Sequence, residues 1–168
     1  MQSPHSRRIL SIDDNPSIHE DFCKILSSSG RDESSLDAKE QVLCGARSSA
    51  RAEMSFEIHS ARQGEEGLEC IVQARRDGTP FQLAFVDVRM PPGWDGIETI
   101  ERILPADPDL QMVICSAYSD YSARDFIERV GLSDRLLLLK KPCDAAEIQL
   151  MALALCRKWE LAHSAQLI

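Results

Sequence analysis

What the chain has little of narrows its function first. Aromatic residues make up only 5% of its 168 residues, and no apolar stretch approaches the roughly 20 residues that a membrane-crossing helix needs. The opening "MQSPHSRRILSIDD" carries basic residues, but two aspartates cut its apolar stretch short, too soon for a signal-peptide core. A cytoplasmic protein without membrane contact is the expectation. Positive charge is also scarce: 19 lysines and arginines stand against 27 aspartates and glutamates, a net charge of −8. That balance argues against direct nucleic-acid binding, which needs a basic patch. The six cysteines, Cys23, Cys44, Cys70, Cys115, Cys143 and Cys156, include no C-x-x-C pair, and several lie in apolar patterns such as "VICSA". Structural zinc and a disulfide framework are thereby disfavoured, and buried, reduced thiols are expected.

What is present is an alternation of short apolar runs with longer amphipathic ones. "RRILSID" (7–13), "SFEIHSA" (55–61), "QLAFVDV" (82–88), "LQMVICSA" (110–117) and "DRLLLLKKP" (134–142) read as strands. Between and after them lie helical patterns. Residues 15–30 open on a capping Asn15 and Pro16 and stop at Gly30, with Ile18, Phe22, Ile25 and Leu26 as the apolar stripe. Residues 64–78 follow, then "DGIETIERILPAD", expected to end at or before Pro105. "SDYSARDFIERVG" has a serine cap and a glycine stop, and "DAAEIQLMALALCRKWELA" is the last helix. A parallel pair needs a long crossover, so strands separated by helices argue for a parallel sheet covered by helices on both faces. Residues 31–54 break the rhythm and read as a surface insertion, partly helical. "CRKWELAHSAQLI" is either the last helix with a frayed end or the start of a linker helix.

In such sheets ligands sit beyond the carboxyl ends of the strands. The first strand ends on Asp13 and Asp14, the third on Asp87, the fourth on Ser116 and the fifth on Lys140 and Lys141. Taken singly these are unremarkable: a capping loop, a turn cap, a strand-end hydroxyl, solvated lysines. Taken together, three acids on one edge repel unless a cation joins them. A hard divalent ion such as Mg²⁺ suits carboxylate oxygens. Metal, ammonium and hydroxyl then form a set that grips phosphoryl oxygens while a carboxylate attacks phosphorus.

The motifs "SIDDN", "FVDVRMPPGWDG", "VICSAYSD" and "LLLKKP", in this order, resemble the receiver domain of two-component response regulators. The resemblance implies a flavodoxin-like (βα)5 three-layer sandwich whose parallel sheet has the order 2-1-3-4-5. It implies a receiver domain over residues 7–160 with the 31–54 insertion between helix 1 and strand 2, and a tail or linker helix at 161–168. Asp87 would be the phosphoacceptor. Asp13, Asp14, Asp87 and the backbone carbonyl of Arg89 would hold Mg²⁺ (or Mn²⁺). Ser116 would be the switch hydroxyl and Lys141, before a cis Pro142, the phosphoryl contact. Arg89, Tyr118 and Leu138 occupy tuning positions. The partner would be a histidine kinase or phosphotransfer protein, homodimerisation stays open, and the chain would be the N-terminal regulatory part of a larger signalling protein whose effector domain is missing here.

Three departures stand out. "MPPGWDG" is one residue longer than the commonest M-P-x-x-D-G form, Leu138 stands where many members carry an aromatic, and the 31–54 insertion is unusual. Leu138 and the insertion keep a rival open, a non-phosphorylated pseudo-receiver used as a docking or dimerisation scaffold. A haloacid-dehalogenase-like phosphatase would need D-x-D after the first strand, where this chain has D-D-N.

Overall fold

The alternation of apolar runs becomes ten elements among the described residues. A computed structural model describes residues 6–27, 55–117, 120 and 122–166, so the expected insertion at 31–54, Cys44 and Tyr118 lie outside the described residues. In chain order the elements are β1 (Arg7–Ile12), α1 (Pro16–Ser27), β2 (Phe56–Ala61), α2 (Gly64–Arg76), β3 (Leu83–Asp87), α3 (Gly96–Ala106), β4 (Gln111–Ser116), α4 (Ala123–Val130), β5 (Leu136–Lys140) and α5 (Ala145–Gln166). The five strands form one parallel sheet in the order β2-β1-β3-β4-β5. This is the flavodoxin-like sandwich that the resemblance implies.

Side chains alternate across a strand, so each strand feeds two cores. Leu10, Ile12, Ala84, Val86, Met112 and Ile114 face α2, α3 and α4, where they meet Ile71, Ile97, Ile100 and Phe126. Ile9, Leu83, Phe85, Val113, Cys115 and Leu139 face α1 and α5 and pack on Phe22, Leu26, Ile148 and Leu155. β3 and β4 are buried on both faces, which explains why "LAFV" and "MVIC" are continuous apolar runs rather than alternating ones.

Helix ends follow local chemistry. Asn15 Oδ1 accepts from Ser17 N–H at 3.0 Å and starts α1. Ser122 and Asp125 form a reciprocal capping box on α4, and Gly131, at φ 86°, ends it in a backbone conformation few other residues adopt. α3 passes the expected stop by one residue, running to Ala106 with Pro105 in its last turn; Asp107 N–H closes that turn on the Ile103 carbonyl at 2.9 Å. α5 continues unbroken through residues 161–166, where the sequence suggests a tail or linker. Among the five described cysteines none is disulfide-bonded; Cys115 and Cys156 are buried, whereas Cys23 is exposed on α1, against the expectation of burial. No helix among the described residues is long and apolar enough to cross a membrane.

Candidate functional site

Strand parity assembles the site. Ser11 and Asp13 continue the row that starts at Ile9, Asp87 continues Leu83 and Phe85, and Lys141 follows Leu139, so all three charged groups emerge on the α1/α5 side of the sheet's carboxyl edge. Carboxylate oxygens of Asp13, Asp14 and Asp87 lie within 4.8 Å of one another. The Lys141 ammonium donates to Asp87 Oδ1 at 2.7 Å and stands 3.7 Å from Asp13 Oδ2. Asp13 is buried, Asp87 is half-buried and Asp14 is exposed. Asp13, Asp87 and Lys141 form one wall of a hollow of about 510 Å³ whose other walls are largely apolar, with Ile18, Phe22, Phe85 and Ile148 among them.

That setting fixes the electrostatics. Burial raises the Asp13 pKa above the ordinary carboxylate value, the charges of Asp87 and Asp14 raise it further, and the Asn15 N–H (2.9 Å) and Lys141 oppose them. Burial works against the Lys141 ammonium, yet its hydrogen bond to Asp87 and the charges of Asp87 and Asp13 hold its pKa above the usual lysine value. Burial also pushes the Cys115 thiol far up, so this neighbour of Asp87 is a neutral wall.

The remaining expected residues are distributed as follows. Ser116 is buried at the end of β4; its hydroxyl donates to the Ala117 carbonyl at 3.0 Å, and its own carbonyl accepts from Lys141 N–H at 2.8 Å. Arg89 sends its side chain into an ion pair with Asp120. Leu138 is half-buried in the middle of β5 against the α2/α3/α4 core. The Lys141–Pro142 peptide is cis, as is Pro91–Pro92. Lys140 is half-buried next to Lys141.

Two residues that sequence reasoning passed over hold the loops around the acids. Gln63 uses both ends of its amide on the loop after β3, donating to the Pro91 carbonyl at 3.3 Å and accepting from Gly93 N–H at 3.2 Å. Asp120 accepts from Ala117 N–H at 2.8 Å. Only the D within "SAYSD" hinted at the second, and nothing local pointed to the first. The end of the same loop is held by backbone contact: Gly96 N–H donates to the Val88 carbonyl at 2.8 Å, and a Cβ on Gly96 would fall 2.2 Å from the Asp87 carbonyl oxygen. The step from phosphoacceptor candidate to α3 therefore requires glycine.

Residues 36–153 match the family described as the response regulator receiver domain, a span that holds Asp87, Ser116 and Lys141 but starts after Asp13 and Asp14. A curated relative, the uncharacterised transcriptional regulatory protein YesN of Bacillus subtilis (strain 168), is 29% identical over 91 residues, or 54% of this chain; the match spans only 22% of that protein. Among solved structures, an adenylate cyclase from Rhodopirellula baltica superposes with a TM-score of 0.68 at 23% identity, covering 96% of this chain and 95% of that one. A CheY-like response regulator receiver domain protein from Methanospirillum hungatei JF-1 gives 0.63 at 20% identity, covering 94% and 98%. Identities this low speak for the fold alone.

Proposed function

This chain belongs to the response regulator receiver domain family, and from that membership we propose that it accepts a phosphoryl group on Asp87 from a histidine kinase or phosphotransfer protein. The observation that carries the reading is the Lys141 ammonium seated at 2.7 Å on a carboxylate that shares a strand-end cluster with two other acids. An Asp87 oxygen attacks the phosphorus of a phosphohistidine; the O–P bond forms as the N–P bond breaks, and the imidazole leaves with the electron pair. The aspartyl phosphate carries about −1.5 to −2 charges where the carboxylate carried a single one, and Lys141 is placed to offset the increase by turning its ammonium to a phosphoryl oxygen. The Ser116 hydroxyl leaves the Ala117 carbonyl and donates to the same group.

The donor set fits Mg²⁺ (or Mn²⁺): three clustered carboxylates, one of them held above its normal pKa by burial and by the charges of the other two. Asp13, Asp14, Asp87 and the Arg89 carbonyl would hold the ion. When bound, it supplies charge neutralisation for the transferred group. In this reading the receiver domain spans residues 7–160, Arg89 and Tyr118 tune the lifetime of the acyl phosphate, Leu138 holds a tuning position, and the α4/β5/α5 surface changes on phosphorylation. The chain serves as a regulatory module in cytoplasmic signalling. The test is phosphorylation by acetyl phosphate or a phosphorylated kinase with and without Mg²⁺. A base-labile, Mg²⁺-dependent label that Asp87→Asn abolishes is the expected result; an unlabelled wild type overturns the reading.

A further inference from the structure

The sheet itself aims the Ala117 amide at the site. Val88 N–H donates to the Cys115 carbonyl at 3.1 Å, so in a parallel ladder the next β4 amide directed at β3 is that of Ala117, facing Val88 beside Asp87. The Val88 carbonyl, its natural ladder acceptor, is engaged by Gly96 N–H. Ala117 N–H donates instead to Asp120 Oδ2 at 2.8 Å. The Asp120 side chain is only 4% exposed, and its other oxygen faces the Arg89 guanidinium, which reaches over from the loop after β3. A buried carboxylate thus occupies a backbone donor one residue past Ser116, neutralised by an arginine from the loop that follows Asp87.

We propose that Asp120 is an internal stand-in for the phosphoryl group: in the unmodified protein its carboxylate occupies the Ala117 N–H, and a phosphoryl oxygen on Asp87 displaces it. The inference rests on Asp87 being the phosphoacceptor. One N–H cannot serve two anions, and their like charges repel at short range. Arrival of the phosphoryl group therefore frees Asp120 and loosens its hold on Arg89, so the loops after β3 and β4 change together. Asp120 is a positioning residue, acting through the Ala117 amide and Arg89 without touching a reacting atom. Ser116 belongs to the same resting arrangement, since its hydroxyl is spent on the Ala117 carbonyl.

A plain loop cap would hold the same bond, and the two roles separate on affinity for a phosphoryl analogue. Asp120→Asn keeps a side-chain oxygen for the Ala117 N–H and removes the charge. Beryllofluoride titration of the full chain in Mg²⁺, followed by calorimetry, is expected to show D120N binding about three- to tenfold tighter than wild type. Unchanged or weaker binding by folded D120N overturns the proposal. A second measurement stands even if D120N folds poorly: the ¹³C carboxylate resonance of Asp120 in the wild type must shift when beryllofluoride binds, and a stationary resonance also overturns it. A wild type that gives no Mg²⁺-dependent response removes the phosphoacceptor reading and this one with it. A responding wild type with a static Asp120 removes this one alone.

Discussion

Asp13 is 5% exposed, and its ionised form suffers from burial first and from the neighbouring charges of Asp87 and Asp14 second. Its pKa is therefore higher in the folded chain than in the unfolded one. Between those two values the folded state keeps a proton that the unfolded state has lost, so stability falls as pH rises from the unfolded value through the folded one. Above its folded-state pKa the charged Asp13 is a net destabilising group. Asp13→Asn should raise the melting temperature at neutral pH by about 3 °C, with the gain shrinking as pH falls through the raised folded-state pKa of Asp13, below which Asp13 itself is protonated. Calorimetry across this range checks the sign; a lower melting temperature at pH 7 would contradict it. The strand-end acids, Ser116 and Lys141 were legible in the sequence because strand parity and an apolar run together dictate where the next charged residue emerges. Gln63 was not, because its partners lie on a loop 28 and 30 residues on, and Asp120 was no more than hinted at, because its ion-pair partner Arg89 belongs to the loop after β3.

At the scale of elements, local signals worked wherever a cap or a stop is chemically obligatory. Asn15, Ser122 and Gly131 act as their positions suggest, whereas Pro105 is tolerated inside the last turn of α3. α3 matters most for the site because it begins one step after the loop that leaves Asp87. Its cap is Asp95, whose Oδ1 accepts from Glu98 N–H at 2.8 Å and whose carbonyl accepts from the Thr99 hydroxyl at 2.7 Å. Asp95→Ala removes the side-chain acceptor and is expected to cost about 1 kcal/mol, measured as a shifted urea midpoint at constant slope. Asp95→Ser, which restores an acceptor, should recover most of that loss. If both variants lose equally, packing rather than capping anchors α3. The extra residue in "MPPGWDG", conspicuous in the sequence, is accommodated by a loop clasped by Gln63, with Trp94 lying under the Arg102 guanidinium at 4.8 Å from its ring centre.

Over the whole molecule, two cores on either side of one sheet are what hold the acids together against their own repulsion. The parallel sheet was legible from the order of runs alone, but the strand order was not: which neighbour each crossover reaches depends on global packing, and only the resemblance supplied it. Because folding brings Asp13, Asp14 and Asp87 to within 4.8 Å of one another, a divalent cation that binds the cluster must bind the folded chain far better than the unfolded one. Ligand linkage then sets the size of the effect: Mg²⁺ at about 100 times its dissociation constant adds about 2.7 kcal/mol, which for a chain of this length raises the melting temperature by about 7 °C. Na⁺ at matched ionic strength only screens the cluster and should recover a small part of that shift. Asp13→Asn, already relieved of one charge, should start higher and gain little from Mg²⁺, so the two melting curves are expected to converge or cross as Mg²⁺ increases. Equal responses to Mg²⁺ and Na⁺ would mean that the cluster feels ionic strength alone and coordinates no ion.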